Sequence, residues 1–289
     1  MKMNLWLRIM IGYYKQKLQI VGMFSTRKAA MMAFDLFCTP FTNTTQKRVP
    51  TIFQQSDPTS FKLYDLTIRG FHWKSNLPNS KKVLIVHGFS SYAYKFEGFI
   101  APLKELGFEV FAFDAPAHGN SDGKRINAIL YKEMILEAEK LFGPFYAIIA
   151  HSFGGISAAL AMEQMPFPEH RKLVLIAPTT ETGTAVNNFF KVITVKEAII
   201  KDFEQYILEM TGQSFAHFST ARVIRTIPSS VLWVHDQDDK ICTYSDVKDL
   251  VNEGIDRTEF LVTKGLGHNK IYLDPSVRQQ IVKFITSLE

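Results

Sequence analysis

A chain of 289 residues, 46% hydrophobic and 21% charged, can bury a sizeable core and shows no compositional sign of disorder, low complexity or internal repetition. Its formal charge of +5 is concentrated at one end: Lys2, Arg8, Lys15, Lys17, Arg27 and Lys28 give residues 1–34 a formal +6 with no acid, which leaves −1 for the rest and excludes a nucleic-acid-binding body. Cys38 and Cys242 lie far apart with no metal-ligand spacing, which argues against a metal centre and for reduced thiols in the cytoplasm.

A helical projection of residues 3–21 sets Asn4, Arg8, Gly12, Lys15 and Gln19 on one narrow polar stripe, with apolar side chains over most of the remainder. Arg8 and the lysines at 15 and 17 interrupt the apolar run too early for a signal peptide or a membrane span. Two readings stay open. The helix docks on its own domain or on a partner, a second copy of the chain included, or it lies in a membrane surface as a peripheral contact.

Residues 26–37, rich in Ala and Met and followed by Pro40, predict a second helix, and residues 39–60 an irregular surface connection. From Phe61 the partial alternation of Leu66, Ile68, Phe71 and Trp73 predicts an antiparallel hairpin. Apolar runs at 83–87, 108–114, 145–150, 172–177, 231–234 and 258–262 then read as strands, interleaved with helices at 96–106, 126–142 and 276–288. That alternation predicts βαβ units on a mostly parallel sheet flanked by helices. About fifty residues before the strand at 231 read as helical.

Chemistry-bearing residues stand at the strand ends, where such sheets gather their active groups. The strand at 145–150 runs into Ala150-His151-Ser152-Phe153-Gly154, a variant of the G-x-S-x-G turn in which a serine is held between strand and helix with its hydroxyl exposed. Its plain alternative is a serine capping a helix. Other strand ends carry His87-Gly88-Phe89, the run from Asp114 to Asp122, His235-Asp236-Gln237-Asp238-Asp239, and Gly265-Leu266-Gly267-His268.

Taken together, in that order, these motifs make the chain from about residue 61 onward resemble an α/β-hydrolase. The resemblance implies an α/β-hydrolase core at 61–183 and 228–289, a small helical cap at 184–227, and an extra N-terminal arm and connection at 1–60. It implies Ser152 as nucleophile, His268 as base and, from the family's spacing after the strand-ending histidine, Asp239 as the acid rather than Asp236 or Asp238; Asp236 stands where the family has glycine. It also implies an oxyanion site made by the backbone N–H groups of Phe89 and Phe153, with Phe89, Phe153, Phe189 and Phe190 lining a substrate pocket. His87 and His118 belong to loop motifs and read as structural.

Acyl transfer needs a nucleophile, a base that takes its proton, an acid that orients the base, and donors for the oxyanion. The chain has a candidate for each. The expected activity is cleavage of a small-molecule carboxylic ester or thioester through an acyl-enzyme, without cofactor or metal. A peptidase or acyltransferase using the same residues, or a non-catalytic scaffold of the same fold, is the alternative.

Overall fold

The computed structural model describes residues 5–40 and 49–287, with side chains of the first helix described from Arg8 onward. Lys2 and Asn4 of the basic arm, residues 41–48 of the connection and the end of the last predicted helix at 288 lie outside them. The described chain divides into two compact units: residues through Thr39 with Glu181–Ser219, and Pro40–Thr180 with Thr220–Glu289.

The larger unit is built on eight strands: β1 (Asp57–Leu63), β2 (Leu66–Trp73), β3 (Lys82–Val86), β4 (Glu109–Phe113), β5 (Phe145–His151), β6 (Lys172–Ile176), β7 (Ser230–Asp236) and β8 (Thr258–Thr263). They form one sheet in the order β1-β2-β4-β3-β5-β6-β7-β8. β1 with β2 and β2 with β4 are antiparallel, and every later pairing is parallel. β3, β5 and β6 are buried almost throughout, as continuous apolar runs between two helical layers must be.

The hairpin begins earlier than the expected position 61. β1 starts at Asp57 and contains Pro58, which edge strands tolerate because only one of their sides is paired. The connection is also more ordered than expected: Thr51–Gln54 forms one helical turn, and Phe53 is buried against Phe71, Trp73 and Tyr94 while Trp73 Nε1 donates to the Ile52 carbonyl at 2.8 Å. The aromatic side chain and the indole donor give this polar stretch a reason to fold.

A buried ion pair fixes the start of the central strand. Arg171 donates to Glu139 Oε1 (2.7 Å), to the Phe145 carbonyl (2.7 Å) and to the Pro166 carbonyl (3.0 Å), while Glu139 Oε2 accepts from the Phe145 N–H (2.9 Å). Helix Ala128–Phe142, β5 and β6 are thereby tied at one end, leaving the other end of β5 to carry the chemistry.

The smaller unit consists of helices Leu5–Phe24, Thr26–Phe37, Thr182–Val192 and Glu197–Thr211. Ser25 ends the first helix and caps the second, its hydroxyl accepting from the Lys28 N–H. Ala29, Ala30 and Ala33 are fully buried, and a Cβ at Gly22 would lie 2.6 Å from Ile199 Cδ1, so small side chains let the arm lie close on Glu197–Thr211. Arg27 pairs with Glu209, and Phe34 and Phe37 meet Phe203 edge-on or tilted. The insertion closes at the Glu181–Ser219 bridge, while Thr220–Ile224, on the far side of that bridge, buries Ala221, Val223 and Ile224 in the sheet unit. Among the described residues no helix is long and apolar enough to cross a membrane.

Arg171→Met leaves the Glu139 carboxylate buried without its cation and is expected to lower unfolding free energy by about 3–5 kcal/mol. Adding Glu139→Gln should recover part of that loss. Urea denaturation of the single and double variants checks it; additive losses would show that the two side chains do not act as a pair.

Candidate active site

Ser152 sits between β5 and helix Phe153–Met162 at φ 54°, ψ −123°, a region that non-glycine residues avoid. The turn is held by its surroundings. The Ser152 N–H donates to the Ile176 carbonyl (3.0 Å), and the Ser152 carbonyl accepts from Gly155 (2.8 Å) and Thr179 (3.0 Å). Two neighbouring glycines allow it: a Cβ at Gly154 would meet the His87 carbonyl oxygen at 2.4 Å, and one at Gly88 would come within 3.0 Å of Ser152 Cβ.

His268 and Asp239 arrive from the ends of β8 and β7. His268 Nδ1 lies 2.7 Å from Asp239 Oδ2, and its Nε2 lies 2.9 Å from Ser152 Oγ, all three residues being buried. Asp239 Oδ1 accepts from the N–H groups of Ile241 (2.8 Å) and Cys242 (3.0 Å), so both carboxylate oxygens are engaged. An acceptor at Nδ1 puts the neutral imidazole's proton on that nitrogen and leaves Nε2 free to accept the serine proton.

The other aspartates have a different task. Asp236 Oδ2 accepts from Thr263 Oγ1 (2.7 Å) and the Leu266 N–H (3.0 Å), its Oδ1 from the Asp238 N–H (2.9 Å), and Asp238 Oδ2 accepts from the Gly265 N–H (3.1 Å). Burial works to raise the Asp236 pKa, but these donors outweigh it and hold the carboxyl below its usual range. The residue that replaces the family glycine therefore fastens the loop bearing His268. His235 is committed elsewhere: Nδ1 accepts from Trp233 Nε1 (3.2 Å), Nε2 donates to the Cys242 carbonyl (2.8 Å), and burial lowers its pKa. Its 3.8 Å approach to Asp239 is therefore a contact without a proton in it.

The loop after β3 closes the other side. His87 Nε2 accepts from the Ala115 N–H (2.9 Å), so its Nδ1 proton goes to the Gly88 carbonyl (2.8 Å). His118 Nε2 accepts from the Ser90 N–H (2.8 Å) and its Nδ1 proton goes to the Pro116 carbonyl (2.9 Å). Asp114 accepts from Ala93 (3.0 Å) and Asn120 (2.9 Å). Both histidines are braces, and the residue between the two loop positions they hold is Phe89. The Phe89 N–H donates to no backbone acceptor among the described residues, and the Phe153 N–H opens a helix and has no acceptor in it. The rings of Phe89 and Phe153 meet edge-on at 5.6 Å. Phe189 and Phe190 belong to the smaller unit, where Phe189 packs on Phe37 and Phe190 on Phe203.

Two neighbours of Ser152 are not singled out by the sequence. His151 is fully buried, its Nε2 proton donated to the His268 carbonyl (3.1 Å), its Nδ1 without a partner among the described residues, and its pKa pushed down to about 3 by burial first and the neighbouring His268 second. Cys242 Sγ lies 4.0 Å from Thr179 Oγ1, and burial pushes its thiol up to about 12, so it stays protonated. A histidine inside the elbow and a cysteine three residues after Asp239 were the available signals. Among the described residues no cluster of His, Cys, Asp and Glu could hold a metal ion.

The model of the serine aminopeptidase S33 family matches residues 78–210. No curated protein matches the chain. Among solved structures, an esterase from Pyrococcus furiosus is similar at TM-score 0.60 and 16% identity over 86% of this chain and 97% of its own. An esterase from Exiguobacterium antarcticum matches at 0.59 and 15% over 80% and 100%, and a predicted CIB-like hydrolase from Thermoplasma acidophilum at 0.59 and 16% over 81% and 99%. The eight-stranded, mostly parallel sheet with flanking helices that the chain shares with these structures is the α/β-hydrolase fold.

The buried neutral histidines give the fold a pH signature. His87 and His118 are held down to about 4 and His151 to about 3, against an ordinary 6.5, burial being the first cause in each. The unfolded chain takes up these protons first, so stability is complete above pH 6.5 and is lost as pH falls toward the folded values, by up to about 1.4 kcal/mol per pH unit for each group. Urea midpoints are expected to drop steadily from pH 6.5 to 4.5, and less steeply in His118→Gln; a midpoint constant over that range would contradict neutral burial.

Proposed function

We propose that the chain is a serine hydrolase that cleaves a carboxylic ester or thioester through an acyl-enzyme on Ser152. The observation that carries the reading is the unbroken path of short hydrogen bonds from Ser152 Oγ through His268 to Asp239, with the histidine tautomer set for proton acceptance. His268 Nε2 takes the serine proton as Oγ attacks the acyl carbon, and Asp239 stabilises the imidazolium that forms. The oxyanion is received by the N–H groups of Phe89 and Phe153, each worth on the order of 3 kcal/mol in the transition state. His268 then returns the proton to the departing alkoxide or thiolate. In the second half a water gives its proton to the same nitrogen and attacks the acyl carbon; the acyl–Oγ bond then breaks, His268 returns the proton to Ser152 Oγ, and the acid leaves.

The edge-to-face pair of Phe89 and Phe153 beside the proposed oxyanion site supports an apolar acyl group. A peptidase is the second reading, favoured by the description of the family whose model covers Ser152. An aminopeptidase must anchor a free α-amino group, so a panel of aminoacyl anilides against acyl esters of graded chain length separates the two.

Labelling by a fluorophosphonate is the direct test. Wild type is expected to label and Ser152→Ala not to, with ester turnover in Ser152→Ala reduced by roughly 10⁴ to 10⁶. Asp239→Asn should lower kcat strongly with little change in KM, because Nδ1 loses the acceptor that orients it. Asp236→Asn acts only through the loop and should cost less. Turnover of Ser152→Ala near the wild-type rate would sink the mechanism.

A further inference from the structure

The first helix, Leu5–Phe24, is apolar on two faces, and its own unit covers only one. Leu18 and Gly22 are buried, the latter against Ile199 and Ala29. Ile9 (62% exposed), Tyr13 (56%), Ile20 (55%), Met23 (66%) and Phe24 (87%) are not. At 100° per residue these five fall within an arc of about 100° centred opposite Leu18, so they form one stripe, interrupted only by the exposed Gln16, rather than scattered surface residues. A helix that merely packs on protein shows a polar outer face. This one shows isoleucine, tyrosine, methionine and phenylalanine over about 25 Å of its length.

Charge flanks the stripe. In the same projection Lys17 lies beside Phe24, and Arg8 and Lys15 lie on the other side of Met23. None of Arg8, Lys15, Lys17 and the nearby exposed Lys28 is in an ion pair among the described residues. No acidic residue occurs before Asp35. An apolar stripe edged by unpaired cations is the distribution a helix needs to lie in an interface, its apolar side chains among acyl chains and its cations among anionic headgroups. A second copy of the chain fits less well, because a two-fold pairing would bring the same cations onto each other.

We propose that the outer face of helix Leu5–Phe24 docks on an anionic bilayer surface, lying in its plane without crossing it. The apolar stripe supplies the insertion, and Arg8, Lys15, Lys17 and Lys28 supply a salt-sensitive attraction. This makes the protein a peripheral membrane protein independently of what Ser152 cleaves.

Sedimentation of the full-length protein with vesicles of phosphatidylcholine alone or with phosphatidylglycerol tests it. Pelleting is expected with the anionic vesicles, much less with the neutral ones, and is expected to weaken between 0.1 and 0.5 M salt as the attraction is screened. Ile20→Asp with Phe24→Asp should abolish it, and Lys17→Glu should lower partitioning by about fivefold or more. Both sets change exposed side chains, and unchanged labelling of Ser152 by a fluorophosphonate shows that the variants are folded. No pelleting of wild type, or equal pelleting of Ile20→Asp/Phe24→Asp, would overturn the proposal. So would a dimer in sedimentation velocity that those substitutions dissolve without any lipid dependence, which would make the face a subunit interface.

Discussion

Everything at the candidate site depends on the backbone of one residue, Ser152, being kept in a conformation it would not adopt alone. A serine at φ 54° costs on the order of 1–3 kcal/mol, and the cost is tolerable only where the surroundings leave the chain no other route. Those surroundings are the parallel pairing of β5 with β3 and β6, which fixes where the strand ends, and the helix that must start at once and pass close over β3. Gly154 is the point of closest approach, since any Cβ there would collide with the His87 carbonyl. The same closeness brings Gly88 against Ser152. The strained turn and the close approach of the loop after β3 are consequences of one packing constraint.

The electrostatics follow from how few charges the fold admits around that turn. His87, His118, His151 and His235 are buried with their protons committed to carbonyl oxygens, and burial keeps all four neutral. The Cys242 thiol is neutral for the same reason. Asp239 therefore faces His268 with no competing cation, its second oxygen saturated by two backbone donors. A positive charge arising on His268 would find one partner placed for it. Asp236 and Asp238, three and one residues away, spend their oxygens on the loop that carries His268 and hold that imidazole in position through the backbone.

The α/β alternation was legible because β3 to β7 each contain an unbroken apolar run of four or more residues, and such a run between turn signals has few other homes than the middle of a parallel sheet. Ser152, Asp239 and His268, which the structure brings within hydrogen-bonding distance of one another, were singled out because their order along the chain reproduces the order of strand ends in a known fold. What escaped was set by tertiary contacts with no local signature. The turn at Thr51–Gln54 folds because Phe53 and Trp73 need each other across twenty residues. The alliance of the N-terminal helices with Glu197–Thr211 rests on Gly22, Ala29 and Ala33 allowing close approach, and an apolar helix face does not say which other face it will meet. Asp236 stood in the sequence as a departure from a glycine, whereas its carboxylate replaces that residue's turn-forming freedom with hydrogen bonds to Thr263, Leu266 and Asp238.

The central claim is that Ser152 Oγ becomes covalently acylated. Rapid acid quench of wild type turning over a p-nitrophenyl alkanoate, followed by peptide mass spectrometry, measures it directly. The account predicts the acyl mass on the peptide that bears Ser152, accumulating within one turnover and decaying with the rate of acid release. Acyl mass on Cys242 or His268, or steady turnover with no acylated peptide at any quench time, would contradict it.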